Sequence, residues 1–230
     1  NEDAVDCFVE RGLFVVADGM GGMAQGAWAS RTVVAELQEH FAVRGGASLD
    51  DEAARIARLR AAVECANLRV WSLDGTATDA TRGSAGATVV ALSLCARRRT
   101  ATWLHLGDSR LYRMRDGELE LLTADHTLAG FRFRSGRRIP LELPHTNRLM
   151  QALGLDPEID PDVGSAALRA GDVYLLCSDG LSGAVLPEEI RHELSRRGHV
   201  AAQAAALLQH ALAAPTQDNT SLIVVEARDV

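Results

Sequence analysis

Three aspartates in this sequence stand where an apolar run gives way to a tight turn: Val16-Ala17-Asp18-Gly19, Leu106-Gly107-Asp108-Ser109 and Cys177-Ser178-Asp179-Gly180. Asp3 precedes the first such run, and Asp218-Asn219 precedes the last. Strands of one core bring their ends together, so these carboxylates are expected to converge at one rim. Gathered carboxylates repel one another and rise in pKa unless a cation neutralises them. Oxygen donors without cysteine or histidine suit the hard, water-keeping ions magnesium and manganese and disfavour zinc. Each Asp-Gly alone reads more readily as a turn or a helix cap, and the repetition is what carries the metal reading. The glycine cluster Asp18-Gly19-Met20-Gly21-Gly22 is no nucleotide loop. It lacks the G-x-G-x-x-G spacing and a following Lys-Ser/Thr, and it puts an aspartate where backbone would meet phosphate.

The elements that must position these residues follow from periodicity. Cys7-Phe8-Val9-Glu10, the turn Arg11-Gly12 and Leu13 to Ala17 read as a hairpin. After the glycine cluster a helical pattern runs through Trp28, Val33, Val34, Leu37 and Phe41. Asp50-Asp51 open a second helix with the stripe Ile56, Leu59, Val63, Ala66 and Val70. Strand patterns return over Ala87–Cys95, Thr100–Leu106, Leu111–Arg115 and Glu118–Leu122, with solvated turns at Arg97-Arg98-Arg99 and Asp116-Gly117. Connections this short demand antiparallel pairing. Val173–Cys177 is a further strand, Pro187–Arg197 and Val200–Ala213 are helices, and Ser221–Val225 is the last strand. Strands and helices come in blocks, which predicts an α+β fold of two antiparallel sheets in a sandwich covered by helices. Residues 1–230 read as one domain. The stretch from Thr127 to Arg148 shows no clear period and holds Arg132, Arg134, Arg137, Arg138 and Arg148, which predicts a surface flap that either guides an acidic phosphopeptide or is a solvated loop, the charge pattern favouring neither.

Composition narrows the class. The chain is 47% hydrophobic and 24% charged with a net charge of −7, which argues against non-specific nucleic-acid binding. No apolar run is long enough to span a bilayer, and Asn1-Glu2-Asp3 is unlike a secretory signal. Cys7, Cys65, Cys95 and Cys177 are scattered without zinc spacing and read as reduced core residues of a cytoplasmic protein. His105 and His126 read as packed or capping residues more readily than as supports of the site, and the helical histidines His40, His192, His199 and His210 are assigned no role.

With these segments in order, the sequence resembles the metal-dependent protein phosphatase (protein phosphatase 2C) family in its bacterial form. The matching segments are Asn1-Glu2-Asp3-Ala4, Asp18-Gly19-Met20-Gly21-Gly22, Gly86-Ala87-Thr88, Gly107-Asp108-Ser109-Arg110, Ala152-Leu153-Gly154, Ser178-Asp179-Gly180-Leu181 and Asp218-Asn219-Thr220. The resemblance implies a sandwich of two antiparallel sheets flanked on both sides by helices. It also implies that Asp18 bridges two manganese or magnesium ions and that the Gly19 carbonyl binds one of them. Asp179 and Asp218 would complete the first ion's protein ligands, Glu2 and Asp3 would hold metal-bound water or contribute directly, and Asp108 with Asp179 would hold a third ion. Asn219 would steady the last turn. The implied reaction is direct attack of a metal-bridging water on phosphorus, without a phosphoenzyme. Met20 stands where eukaryotic relatives carry histidine, so the leaving-group proton would come from metal-bound water. Met23 and Ala27 depart from the histidine and glutamate common in bacterial relatives, which touches the surroundings of the metals and not the metals. The family's phosphate-binding arginine lies three residues before the position of Asn1, upstream of this sequence, so the leading edge is expected to be truncated.

The function expected is therefore a serine/threonine phosphoprotein phosphatase that reverses a kinase, a monomer acting on phosphoserine and phosphothreonine proteins. A non-catalytic module recognising a phosphoprotein or a regulatory partner on the same fold is the competing class. Degenerate members normally lose metal aspartates, whereas Asp18, Asp108, Asp179 and Asp218 are all present. A phosphatase for small phosphate esters is a third, weaker reading.

Overall fold

The computed structural model describes residues 1–42, 49–73, 75–76, 78, 81, 83–134, 148–196, 198–215 and 218–228. In chain order the strands are β1 (Ala4–Phe8), β2 (Leu13–Ala17), β3 (Gly19–Met20), β4 (Gly86–Ala87), β5 (Val89–Cys95) and β6 (Thr100–Leu106), then β7 (Arg110–Arg115), β8 (Glu118–Leu121), β9 (Asp162–Ala167), β10 (Val173–Cys177) and β11 (Leu222–Glu226). The helices are α1 (Met23–Ala42), α2 (Glu52–Trp71), α3 (Leu128–Arg134), α4 (Asp179–Ser182), α5 (Pro187–Ser195) and α6 (Val200–Ala213). One sheet has the order β1-β2-β5-β6-β9, a second the order β11-β10-β7-β8, and β3 pairs with β4 beside them. Every pairing is antiparallel.

Alternation along each strand sorts side chains into layers, because successive residues face opposite sides of a sheet. In β2, Phe14 and Val16 face the second sheet and pack with Val90, Leu92, Leu111, Tyr174, Leu176 and Ile223. Leu13, Val15 and Ala17 face the other way, onto Val33, Leu37 and Phe41 of α1 and Leu59, Val63 and Ala66 of α2. On the far side Tyr112, Leu175 and Cys177 pack with Leu181, Ile190, Leu207 and Ala211 of α4, α5 and α6. The layers are helix, sheet, sheet, helix, the expected α+β sandwich.

Local chemistry sets the helix ends. The Asp51 carboxylate caps α2 by accepting from the Ala54 amide at 3.1 Å. Pro187 sits in the first turn of α5, and Glu189 accepts from the Leu186 amide at 2.9 Å.

Several expectations change. Val9–Arg11 is a 3-10 turn, so the first strand ends at Phe8, and Gly12 closes the turn in the left-handed region at φ 63°. Residues Asp162–Ala167, unassigned in the sequence reading, form the edge strand β9 on β6. Cys7 and Cys65 are exposed and Cys95 is half-buried, so Cys177 alone fits a core thiol. The stretch expected to lack regular structure begins with α3, and its two ends meet through the Leu128 amide donating to the Arg148 carbonyl at 3.0 Å. Arg137 and Arg138 lie outside the described residues, as do the side chains of Arg132 and Arg134.

Candidate metal centre

Asp18 follows β2, Asp108 lies between β6 and β7, Asp179 opens α4 after β10, and Asp218 precedes β11. The register carries these ends to one rim: Ala17 pairs with Ala4 of β1, and Cys177 pairs with both Arg110 and Leu222. The close approach depends on glycine. A Cβ on Gly180 would come within 2.1 Å of the Asn219 carbonyl oxygen, so any side chain there would push the Asp179 and Asp218 segments apart. A Cβ on Gly26 would meet the Glu2 carboxylate at 1.9 Å, and one on Gly19 would meet the Gly26 carbonyl oxygen at 2.0 Å. Gly26, in the first turns of α1, thus admits the Glu2 side chain to the rim. No signal beyond a glycine inside a helical pattern marked it in the sequence.

Hydrogen bonds hold the carboxylates in place. Ser178 Oγ donates to Asp3 Oδ2 at 3.0 Å, and Asn219 Oδ1 accepts from the Glu2 amide at 2.7 Å. Asn219 therefore fastens the last turn to the first segment. The Asp18 amide donates to Thr88 Oγ1 at 3.2 Å, and that hydroxyl lies 2.7 Å from Ser109 Oγ. Thr88 and Ser109 thus tie the Asp18 loop to the Asp108 loop. Both residues stood in the matching sequence segments without a role, because only the fold shows the two hydroxyls meeting.

The electrostatics are those of a cluster short of positive charge. Burial, followed by the Asp3 and Asp179 carboxylates, pushes the Asp18 carboxyl up to about 9. Burial and Asp218 raise Asp179, and burial raises Asp3 against the pull of its serine hydrogen bonds. Asp108 is pushed up to about 7 by burial and by Asp179 and Asp125. Asp3 Oδ1 and Asp179 Oδ1 are buried with no hydrogen-bond partner. Carboxylate oxygens without donors, held against one another, fit hard divalent cations, which satisfy lone pairs and charge together. The structure thus brings Asp3, Asp18, Asp179 and Asp218 together, with Asp108 beside Asp179 and with Glu2 and Gly19 at the same rim.

Arg110, adjacent to this rim, is already engaged. Its Nε and Nη2 donate to the two Asp125 oxygens at 2.9 and 2.7 Å. His126 is engaged as well: its Nδ1 accepts from the Gly107 amide at 3.2 Å, so Nε2 carries the proton toward Asp162 Oδ2 at 2.9 Å. That tautomer leaves His126 no lone pair for a metal. It acts as a support, bracing the residue before Asp108. His105 packs on it with ring centroids 4.8 Å apart, and burial together with His126 lowers its pKa to about 3, so it is a neutral core ring.

Residues 1–215 match the protein phosphatase 2C family profile. The chain belongs to the protein phosphatase 2C family. It is 36% identical over 235 residues to the serine/threonine protein phosphatase PstP of Mycobacterium tuberculosis, covering 100% of this chain and 42% of PstP. The chain thus spans less than half the length of that relative. It is 30% identical over 239 residues to the protein phosphatase PhpP of Streptococcus pneumoniae, covering 100% of this chain and 92% of PhpP. Among solved protein phosphatase 2C structures, the catalytic domain of PstP in complex with 2 manganese ions matches with a TM-score of 0.84 at 34% identity, covering 100% of this chain and 92% of that one. The carboxylate rim is the feature of this family member on which metal chemistry would act. Among the described residues no helix is long and apolar enough to cross a membrane.

Proposed function

We propose that residues 1–230 form a single phosphatase domain that hydrolyses phosphoserine and phosphothreonine in proteins, dependent on manganese or magnesium and acting in the cytoplasm against a kinase. The observation that carries this reading is the uncompensated carboxylate cluster: Asp18 is pushed up to about 9 and two buried aspartate oxygens have no donor. Asp18, the Gly19 carbonyl, Asp179 and Asp218 would hold the core ions, Glu2 and Asp3 would hold metal-bound water or contribute directly, and Asp108 with Asp179 would hold a third ion. When bound, the ions supply an activated water for direct in-line attack on phosphorus and offset charge on the phosphoryl oxygens. The protein's own part is preorganisation. Ser178 fixes the Asp3 carboxylate, Asn219 fixes the Glu2 backbone, and the Thr88–Ser109 hydroxyl pair sets the Asp18 loop against the Asp108 loop.

The competing binding-module reading has no observation in its favour, because each core aspartate is present at the rim. The test is hydrolysis of a phosphothreonine peptide and a generic aryl phosphate with manganese, without it, and with excess chelator. Turnover is expected with manganese alone. No turnover under any condition, or full turnover in chelator, would overturn the reading.

A further inference from the structure

A second cluster of metal-binding side chains lies away from the rim, on the outer face of α1 and α2. Glu36 and His40 stand one turn apart on α1, and Cys65 approaches from α2. One ligand atom from each, a carboxylate oxygen, a ring nitrogen and Sγ, lies within 4.8 Å of the other two. We propose that Glu36, His40 and Cys65 form a zinc site distinct from the carboxylate rim.

Three features support a built site. First, His40 Nδ1 lies 2.9 Å from the backbone carbonyl oxygen of Glu36. A carbonyl can only accept, so Nδ1 carries the proton and Nε2 keeps its lone pair, the arrangement by which backbone carbonyls orient metal-binding histidines. Second, Arg69 Nη1 donates to Glu36 Oε1 at 2.5 Å, which fixes the carboxylate, and Oε2 stands 3.6 Å from the protonated Nδ1 of His40, on the same side of the helix as the ring. Third, Cys65 is exposed and uncrosslinked, so its sulfur is accessible and the site has an entry path. Ligands on a tetrahedral zinc at about 2.0–2.3 Å stand about 3.5 Å apart, so a group already within 4.8 Å has roughly 1 Å to close on binding. Thiolate and imidazole choose zinc over magnesium or manganese, the reverse of the all-oxygen rim. A fourth position stays open to water.

The contrast with His105, His126 and Asp162 sharpens the assignment. Those three also lie within 4.8 Å of one another, yet the Gly107 amide occupies the His126 lone pair. No backbone donor competes in that way for His40 Nε2 among the described residues. Zinc held there joins α1 to α2 and fastens the helix whose Gly26 receives Glu2, so it stabilises the fold without entering the reaction.

Cobalt is the probe, because thiolate-bound four-coordinate cobalt gives a ligand-to-metal charge-transfer band and strong visible bands, whereas cobalt in the oxygen-only rim gives neither. With the rim first filled by excess manganese, titration of the whole chain with cobalt is expected to produce the thiolate band, saturating at one equivalent and bleached by zinc. Cys65→Ser should abolish it while leaving manganese-dependent hydrolysis and circular dichroism unchanged. Arg69→Gln should weaken cobalt binding by roughly tenfold through the loosened Glu36 carboxylate. Absence of the band at stoichiometric cobalt, or a band that survives Cys65→Ser, overturns the proposal.

Discussion

The two ends of β10 each carry an aspartate, and they have opposite fates. Asp172, just before the strand, is buried, and burial alone would raise its pKa. The Arg115 guanidinium outweighs that effect, donating from Nε and Nη2 to the two carboxylate oxygens at 2.6 Å each, and the Arg169 amide adds 2.8 Å to Oδ2, so the pKa falls. Asp179, just after the strand, is raised by burial and by Asp218, and its Oδ1 has no donor. The same residue type on one strand thus meets a covalently fixed cation at one end and only more carboxylates at the other. The first arrangement is structural: it is complete in the folded chain. The second, on the proposed reading, would be completed by ions from solution, to which its unpartnered carboxylate oxygens stay open.

The largest effect expected from breaking this contrast is at Asp18. Asp18→Asn should reduce manganese-dependent hydrolysis to background and yet raise the melting temperature of the metal-free protein, since an amide needs no proton to sit among these carboxylates whereas the raised Asp18 carboxyl must take one up on folding. A metal-free melt that falls instead would mean that Asp18 is held by unseen donors. Next comes the closed end: Arg115→Gln strands a buried carboxylate and should cost about 3 kcal/mol in urea unfolding, with manganese giving no rescue. An unchanged unfolding midpoint would remove the distinction between the two ends.

A smaller effect is expected at Thr88→Val, which deletes the acceptor for the Asp18 amide and the contact with Ser109. It should cost about 1 kcal/mol of stability and lower kcat more than KM. The reverse split would mean that the pair serves binding and not the geometry of the ligands. Of a different kind is the pH dependence without metal. Asp18 moves from 3.8 to about 9, so across that window the folded chain keeps a proton that the unfolded chain has released. Its contribution to stability therefore declines as pH rises. Asp172 works in the opposite sense: its depressed pKa stabilises the fold above the ordinary carboxylate range, and that contribution is lost as pH falls through the folded value. Melting curves from pH 4 to 9 should slope downward without manganese and flatten with it. An upward slope in the metal-free protein would assign the rim carboxylates an internal cation.

The sequence was most readable where chemistry and local structure coincide. An aspartate at the end of an apolar strand announces both the strand's limit and the charge, so Asp18, Asp108 and Asp179 could be placed on a common rim from pattern alone. β9 was not readable, because Asp162-Val163-Gly164-Ser165-Ala166-Ala167 is an edge strand with little buried surface and no apolar alternation. The supports of the site were hidden for a different reason. The hydroxyls of Thr88 and Ser109, or the reach of Asn219 to Glu2, depend on which strands neighbour each other, and a single chain does not print that. The cysteines misled through composition. Cys65 lies in a helix but off its apolar stripe, where Ala62, Val63 and Ala66 take the core side and leave it outside.

The bond between the Glu2 amide and Asn219 Oδ1 spans 217 positions of the chain, and it sits at the rim itself. A polypeptide emerging from the ribosome thus carries Asp3 and Asp18 early but cannot assemble the ion pocket until the segment bearing Asp218 and Asn219 has been made. Long-range closure of this kind is slow to form. On the proposed function its consequence in a cell would be temporal: a chain that has not yet received Asp218 and Asn219 has no closed carboxylate rim, so any activity that depends on the rim would wait for the whole sandwich.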